Sequence, residues 1–273
     1  MDCAGISRRL STSVHNPVAV RSIFVRQLLP TPLDAVDPLT LYPFDHRPRP
    51  SSRPWLMANM VASVDGAIAI DGVSGGLGGD GDSMAFRAIR ASCDWIVAAA
   101  GTIRAERYRI PRATEETAAV RVVTGRSEAP RLAVVSASVD LDPELPLFAD
   151  QRDGEAWPLV ITGANPPADR VEALEGRAEW HHTDTERPTA EGVLAALGER
   201  GADVVLAEGG PMFNGQLVDS GFIDELCLSI SPHLVGGGSS RIVNGSAATI
   251  PADLRLDRLL EHDDALFARY VRA

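Results

Sequence analysis

The sequence predicts an α/β fold in which a mostly parallel sheet carries helices on both faces and ends in an antiparallel edge. From residue 54 onward, short apolar runs of strand length alternate with helical segments, which is typical of strand–helix–strand units. Near the C-terminus, two strands at 254–262 and 266–272 follow each other across a short turn. Two such strands pair antiparallel, so we expect the sheet to be mixed.

The first predicted element is a strand over 55–61, and a turn at Val64-Asp65-Gly66 leads to a return strand at 67–70. A glycine-rich loop over 71–81 follows, and Asp82 or Ser83 caps a helix over 84–91. The further predicted strands are short and apolar, and they cover 95–99, 132–136, 159–162, 203–207 and 225–231. The further predicted helices cover 102–107, 167–175, 189–200 and 212–218.

Residues 1–53 differ from the rest of the chain. Prolines recur between residues 30 and 54, and only residues 18–29 have the pattern of a short element. We therefore expect a proline-rich N-terminal extension over 1–53 that packs on, or trails from, one main domain over 54–273.

Composition excludes several classes of protein. The net charge of −11 argues against a general binder of nucleic acid or of anionic membranes, and no apolar run is long enough to span a bilayer. All 26 basic residues are arginine, so Schiff-base chemistry and a P-loop lysine are absent. Cys3, Cys93 and Cys227 show no metal-binding spacing, so we expect no metal site and a reducing, cytoplasmic location.

The most informative stretch runs from Val204 to Pro211. A fully apolar strand ends in Glu208, two glycines follow, and Pro211 fits the first position of a helix. Glycines before a helix N-terminus form a cradle for phosphate, because the first N–H groups of the helix point outward. A carboxylate is poorly placed to bind phosphate. We therefore expect Glu208 to face a second ligand or, in the simpler alternative, solvent.

Three other segments carry candidate site residues. Asn59 and Ser63 share one face of a strand that otherwise has a buried pattern, so a ligand is a plausible partner for them. Gly101 and Thr102 begin a second strand–glycine–helix unit, which is another candidate anion site. The loop at 71–81 has the composition of a flap over a substrate and equally that of an ordinary surface loop.

Taken together, these motifs resemble the pyrimidine reductase domain of riboflavin biosynthesis, a family with the dihydrofolate-reductase-like α/β/α fold. The resemblance covers roughly residues 53 to 272. It rests on segments that appear in the family's order, which are Asn59-x-x-x-Ser63-x-Asp65-Gly66, Gly101-Thr102-Ile103-Arg104-Ala105-Glu106, Glu208-Gly209-Gly210-Pro211, Asp224-Glu225-Leu226 and Ser231-Pro232-His233-Leu234-Val235-Gly236.

The resemblance implies an NADPH-dependent reductase that converts the ribosylamino side chain of a diaminouracil 5′-phosphate to ribitylamino, by hydride transfer to C1′. It implies catalytic roles for Glu208 and Glu106. It also implies substrate contacts, with Arg90 on the phosphate, from Asn59, Ser74, Arg90, Ile110 and Glu208. The NADPH contacts it implies are Ala62, Gly101, Thr102, Gly209, Gly210, Pro211, Met212, Phe213 and Asn214, with Ser136 and Thr162 as looser candidates at strand ends.

This chain also departs from the family pattern. Residues 1–53 contain no His-x-Glu and no Cys-x-x-Cys, so we expect a stand-alone form without the zinc deaminase domain. Glu106-Arg107-Tyr108 stands where bifunctional bacterial forms carry Asp-Asp-Pro, which leaves the substrate open. The alternatives are a reductase of a pteridine such as dihydrofolate and a non-catalytic nucleotide-binding module. We further expect a homodimer.

Overall fold

The computed structural model of the protein describes residues 24–245 and 252–273. Eleven strands form one sheet in the order β2-β1-β10-β11-β9-β3-β8-β4-β5-β6-β7. The strands are β1 Val25–Leu29, β2 Leu33–Val36, β3 Trp55–Ser63, β4 Trp95–Ala99, β5 Arg131–Val135, β6 Leu159–Thr162, β7 Glu179–His182, β8 Val204–Ala207, β9 Glu225–Ser231, β10 Leu254–His262 and β11 Ala265–Arg272. The α-helices are α1 Asp80–Ala91, α2 Ala100–Ala105, α3 Glu115–Val123, α4 Pro146–Ala149, α5 Ala168–Glu172, α6 Ala190–Glu199 and α7 Pro211–Asp219.

The sheet has a parallel part and an antiparallel part, as the sequence predicts. From β9 through β3 and β8 to β7, every neighbouring pair of strands is parallel. From β9 outward through β11, β10, β1 and β2, every pair is antiparallel. The prediction of a mostly parallel mixed sheet with antiparallel C-terminal strands is confirmed.

Consecutive residues of the central strands enter two different hydrophobic cores, one on each face of the sheet. Met57 and Ile96 belong to the core that contains residues of α1, while Leu56 and Val97 belong to the core that contains residues of α6 and α7. Side chains alternate between the faces of a strand, so a strand buried on both faces is apolar throughout. This explains the continuous apolar runs in the sequence.

Residues 24–53 join the same sheet and the same core. β1 pairs with β10, and Leu39 and Tyr42 are buried in the α1-side core. Arg47 forms an ion pair with Glu225 and Arg53 with Asp224. These residues therefore pack on the domain, which is one of the two arrangements expected for the extension. Residues 1–23, including Cys3 and the first half of the element predicted at 18–29, lie outside the described residues, and β1 falls in its second half.

Several local predictions differ from the structure. No return strand forms at 67–70, where only an isolated bridge joins Ile70 to Val73. β9 already pairs with one side of β3 over residues 57–63, and after the turn the Ser63 N–H donates to the Ala67 carbonyl at 2.8 Å without a ladder following. Helix α1 begins one turn earlier than predicted, at Asp80 after Gly79. Three further elements were not predicted. Helix α3 is short and amphipathic, α4 is a single turn, and β7 is an edge strand of mostly polar residues.

Candidate active site

The most strongly predicted site residues meet in a cleft of about 560 Å³ beside the ends of β3 and β8. The cleft is bounded by α1, by α2 and the segment after it, and by the glycines that follow β8. Predicted residues that line it are Asn59, Ser74, Arg90, Thr102, Glu106, Ile110, Glu208, Gly209, Gly210 and Pro211. The tertiary structure thus brings together segments that are more than a hundred residues apart in the chain.

Glu208 is a buried carboxylate held by three donors. Arg90 Nε donates to Oε1 and Arg90 Nη2 to Oε2, both at 2.7 Å, and the Tyr108 hydroxyl donates to Oε2 at 2.7 Å. The Glu208 side chain is only 3% exposed, whereas that of Arg90 is 26% exposed. A buried carboxylate is stable only with such partners. The pair therefore presents a fixed acceptor and a partly accessible cation to the cleft.

The local structure around Glu208 explains its fixed position. The N–H of Glu208 donates to the carbonyl of Val97 at 3.0 Å, which continues the parallel pairing of β8 with β4. Arg90 lies in the last turn of α1, and its guanidinium stacks 4.2 Å from the ring centre of Phe86 and 5.6 Å from that of Tyr108. Burial and the charge of Glu208 raise the pKa of Tyr108, so its hydroxyl remains a proton donor.

The two glycines after Glu208 form a narrow cradle. Gly209 has a φ of +95°, a conformation that favours glycine, and its carbonyl accepts the N–H of Ala99 at 2.9 Å. A Cβ on Gly210 would lie 3.0 Å from Thr102 Oγ1, so a side chain there would crowd the start of α2. The first turns of α2 and α7 therefore meet at the glycines. The first N–H groups of α7 have no acceptor within the helix, which is the arrangement that suits an anion.

The first turn of α7 is divided between surface and interior. Met212 is 64% exposed, whereas Phe213 is buried in the core on the α6 side. Asn214 is also buried, and its amide donates to the carbonyl of Ile242 at 2.8 Å. The side chains of Phe213 and Asn214 thus point into the protein, and neither lines the cleft. Their predicted contact with the cofactor stays a prediction.

Glu106 joins the glycine-rich loop to the cleft. Its Oε1 accepts the main-chain N–H of Ser74 at 2.7 Å, so the loop lies over this end of the cleft. The next residue, Arg107, has a φ of +48°, which is unusual for a residue with a side chain, and such backbone strain is frequent at functional sites. Glu106 and Ser74, which were predicted for different roles, are therefore direct neighbours.

The turn at Asp65-Gly66 is tied to the glycine-rich segment after β9. The Asp65 carboxylate accepts the N–H groups of Val235 at 3.2 Å and Gly236 at 2.7 Å. The hydrogen bond from Ser63 and these two main-chain bonds lower the pKa of Asp65 to about 2. The two motifs therefore form one contact, in which the turn supplies the Asp65 carboxylate and the segment after β9 supplies the main-chain N–H groups.

Seven predicted cofactor residues are not among those that line the main cleft, and they are Ala62, Gly101, Ser136, Thr162, Met212, Phe213 and Asn214. Ala62 lines a neighbouring cleft of about 540 Å³ beside Gly236 and Gly237. Ser136 follows β5 and Thr162 ends β6, at the same edge of the parallel sheet as Glu208 but two and three strands away from β8. Thr162 is fully buried and its hydroxyl has no hydrogen-bond partner among the described residues.

Other residues of the cleft were not predicted from the sequence, among them Asp82, Phe86 and Tyr108. Asp82, Phe86 and Arg90 line it together, and their spacing of four along a helix was a readable sign of a common face. Tyr108 follows the end of α2 and reaches Glu208 across the cleft. No sequence pattern indicates that contact, because it depends on how the segment after α2 returns toward α1.

Among residues 24–245 and 252–273, no cluster of His, Cys, Asp or Glu could hold a metal ion. No helix in this part of the chain is long and apolar enough to cross a membrane. Cys93 and Cys227 are free and buried, and burial raises the pKa of the Cys93 thiol to about 12. Both cysteines therefore belong to the core, as predicted.

The architecture and the glycine cradle define the class of the protein, an α/β domain with the dihydrofolate-reductase-like fold. A crystal structure of a pyrimidine reductase-like protein from Corynebacterium diphtheriae superposes with a TM-score of 0.71 at 27% identity, covering 81% of this chain and 92% of that one. The family model described as the RibD C-terminal domain matches residues 54–264. This chain belongs to that family, and the resemblance identified from the sequence is confirmed.

Two curated relatives carry the same name, 2,5-diamino-6-ribosylamino-4(3H)-pyrimidinone 5′-phosphate reductase. The protein from Methanothermobacter thermautotrophicus is 28% identical over 223 residues, which cover 80% of this chain and 98% of the relative. The protein from Archaeoglobus fulgidus is 26% identical over 192 residues, covering 70% and 86% of the two chains.

Proposed function

We propose that the protein is an NADPH-dependent reductase that converts the ribosylamino group of a diaminopyrimidine 5′-phosphate to a ribitylamino group, as the names of its relatives and its family suggest. One observation carries the proposal. The Glu208 carboxylate, fixed by Arg90 and Tyr108, immediately precedes the Gly209–Gly210 cradle. A cofactor on the glycines and a substrate on Glu208 therefore lie in one cleft, within reach of each other.

The residues of the cradle fit a dinucleotide. Gly209 and Gly210 carry no side chain, so the dinucleotide can approach the main chain closely there. Thr102 offers a hydroxyl beside them, and the exposed first turn of α7 suits a phosphate. Ala62 in the neighbouring cleft, and Ser136 and Thr162 farther along the sheet edge, remain candidate contacts for the rest of the molecule. When bound, NADPH supplies the hydride for reduction of C1′.

On the substrate side, Glu208 orients the pyrimidine. Carboxylate oxygens have further lone pairs beyond the three bonds already made, and these accept ring or amino N–H groups. Asn59 lies on the same cleft wall and offers both a donor and an acceptor. Because Glu208 cannot rotate without breaking its bonds to Arg90 and Tyr108, the pyrimidine binds in one orientation. A fixed orientation lowers the entropic cost of bringing C1′ to the hydride donor.

The ion pairs of the cleft support Arg107, rather than the Arg90 that the resemblance implies, as the contact for the substrate phosphate. Four arginines line the cleft, and three of them already hold carboxylates, since Arg90 pairs with Glu208, Arg109 with Asp150 and Arg112 with Glu155. Arg107 is exposed and forms no ion pair with a described residue. A phosphate on Arg90 or Arg112 would compete with a carboxylate. We therefore assign the substrate phosphate primarily to Arg107.

The direct test is turnover by the purified chain. Oxidation of NADPH is followed with the ribosylamino pyrimidine phosphate, with the same compound lacking phosphate, and with dihydrofolate. We expect rapid oxidation with the first, a raised KM with the second, and none with dihydrofolate. Turnover of dihydrofolate in place of the pyrimidine would establish the pteridine alternative. Tight binding of NADPH without turnover of any of the three would establish a nucleotide-binding module.

A further inference from the structure

The glycine-rich loop, which covers residues 71–79 in the structure, has few ties to the rest of the protein. Ile70 and Val73 form an isolated bridge at its start, and Leu77 is buried near its end. Residues 71–76 are exposed or half-buried throughout. Apolar burial therefore holds the end of the loop, and something else must hold this first part in place.

One hydrogen bond joins this part of the loop to the segment that follows α2. The main-chain N–H of Ser74 donates to Glu106 Oε1 at 2.7 Å. The other hydrogen bonds of residues 71–76 to described residues are local, since they join Ile70 to Val73 and Leu77 to Ser74. The position of this part of the loop thus depends on the contact between Ser74 and Glu106.

Glu106 is itself held in place where it can make this contact. It lies directly after α2, and its own N–H donates to the carbonyl of Thr102 at 2.9 Å. Its carboxylate forms no ion pair with a described residue, and it accepts the Ser74 N–H instead. A hydrogen bond to a charged acceptor is stronger than one between neutral groups. The carboxylate is therefore suited to fix a main-chain N–H group that few other contacts hold.

We propose that Glu106 is a positioning residue, which holds the glycine-rich loop closed over the cleft and fixes Ser74 at its wall. Ser74 and Glu106 both line the cleft, as does Ile68 just before the loop. A loop that is fixed before the substrate arrives does not have to be ordered on binding, which favours affinity. This role rests on the proposed function, because it assumes that the substrate binds in the cleft, and Glu106 acts on it through Ser74.

The length of the side chain distinguishes a positioning role from a catalytic one. Aspartate keeps the charge but is shorter by one carbon–carbon bond of about 1.5 Å, so its carboxylate falls short of the Ser74 N–H. Glutamine has the length of glutamate, and its amide oxygen still accepts an N–H group. A positioning role therefore predicts a smaller effect for Glu106→Gln than for Glu106→Asp. A role that needs the charge or a proton predicts the reverse order.

The first measurement is amide hydrogen exchange, followed by NMR in the unliganded protein. We expect the Ser74 amide to exchange about tenfold faster in Glu106→Asp than in the wild type, and less than about threefold faster in Glu106→Gln. The Val193 amide, which donates to Thr189 at the start of α6, is the reference and should keep its rate in both variants. Equal rates at Ser74 in the wild type and Glu106→Asp overturn the proposal.

The second measurement is kinetic and changes the other partner of the contact. Ser74→Pro removes the N–H donor, whereas its matched control, Ser74→Ala, removes the hydroxyl and keeps the N–H. We expect KM for the pyrimidine substrate to rise about tenfold in Ser74→Pro and in Glu106→Asp, with kcat within about threefold of the wild type. The rise in Ser74→Ala should be smaller. An equal rise there would assign the effect to the hydroxyl and contradict the proposal.

The double variant, Ser74→Pro with Glu106→Asp, tests whether the two residues act through one contact. Its KM should rise no further than in either single variant, because each change removes the same hydrogen bond. Rises that multiply in the double variant overturn the proposal, as does a larger loss in Glu106→Gln than in Glu106→Asp. Absence of turnover in the wild type overturns the proposed function instead, and the exchange rates then still decide whether Glu106 holds the loop.

Discussion

Two buried glutamates, one on β9 and one directly after β8, are both held by arginine, but only one of them borders a cleft. Glu225, the first residue of β9, is fully buried and is bound by Arg47 and Arg269, whose side chains are 1% and 5% exposed. Glu208, which follows β8, is bound by Arg90, whose side chain is 26% exposed beside a cleft. The first cluster is sealed inside the protein and the second opens to a ligand.

This difference separates an ion pair enclosed in the core from one that a ligand in the cleft could reach. The Glu225 cluster ties the N-terminal segment, through Arg47, to the C-terminal strand that carries Arg269. Burial by itself would raise the pKa of Glu225, but the charges and hydrogen bonds of the two arginines outweigh it and lower the pKa to about 2. The cluster therefore ties two distant segments of the fold together, while the Glu208 pair borders a cleft in which we propose that the substrate binds.

The largest expected effect comes from breaking the sealed cluster. Glu225→Gln removes the buried carboxylate that bridges Arg47 and Arg269, while Asp45 and Asp257 remain near them. We expect it to lower the free energy of unfolding by about 3 kcal/mol, at the low end of the loss for a broken buried ion pair. Urea denaturation followed by circular dichroism measures this loss. The matched control is Glu179→Gln, which breaks the exposed pair of Glu179 with Arg131 and should cost at most about 1 kcal/mol. Equal losses in the two variants would contradict the comparison.

The same variant predicts a pH dependence. The pKa of Glu225 is lower in the folded protein than in the unfolded chain, so its contribution is fully present above about pH 4.5 and is lost as pH falls toward about 2. Stability measured across this window should fall less steeply in Glu225→Gln than in the wild type. The activity of folded Glu225→Gln at neutral pH should match that of the wild type.

The second effect is on catalysis. Glu208→Gln keeps the shape of the side chain but removes the charge that holds Arg90 and orients the pyrimidine. We expect kcat/KM for the pyrimidine substrate to fall at least about 10²-fold, because one preorganised interaction at a reacting centre is worth this much. The dissociation constant of NADPH, measured by fluorescence quenching, should change less than threefold. Parallel losses in both quantities would place Glu208 with the cofactor instead.

The smallest expected effect comes from Tyr108. Tyr108→Phe removes the hydroxyl that donates to Glu208 and leaves both bonds from Arg90 intact. A hydrogen bond to a charged group contributes about 1.5–3 kcal/mol, so we expect a fall of about ten- to a hundredfold in kcat/KM. Stopped-flow kinetics with saturating NADPH measures it. An unchanged rate would show that Arg90 alone is enough to hold Glu208.

The local motifs of the cleft were readable from the sequence. Glu208-Gly209-Gly210-Pro211 follows a strand with no polar residue, and Gly101-Thr102 follows another, so both predicted ligand-binding turns lie where two parallel strands end. Parallel neighbouring strands end at one edge of a sheet, which is why these segments meet. Asn59 was found because it is a polar residue in a buried strand pattern.

Other features of the site depended on packing between distant segments. Arg90 is a charged residue of the kind that usually lies on the exposed face of a helix. Its ion pair with Glu208 forms only because α1 lies over the end of β8. Tyr108 reaches Glu208 in the same way. The side chains of Phe213 and Asn214 belong to a predicted cofactor segment, yet helical periodicity turns both toward the interior.

The sequence by itself determined the buried strands, the longer helices, the mixed sheet and the glycine turns. These follow from side-chain periodicities of two residues in strands and about four in helices, and from the backbone freedom of glycine. Only the tertiary structure decided which charged groups pair. Of four arginines in one cleft, it neutralises three with carboxylates and leaves Arg107 unpaired with any described residue. Pairing depends on distances of a few ångströms between segments far apart in the chain, and no local pattern encodes such distances.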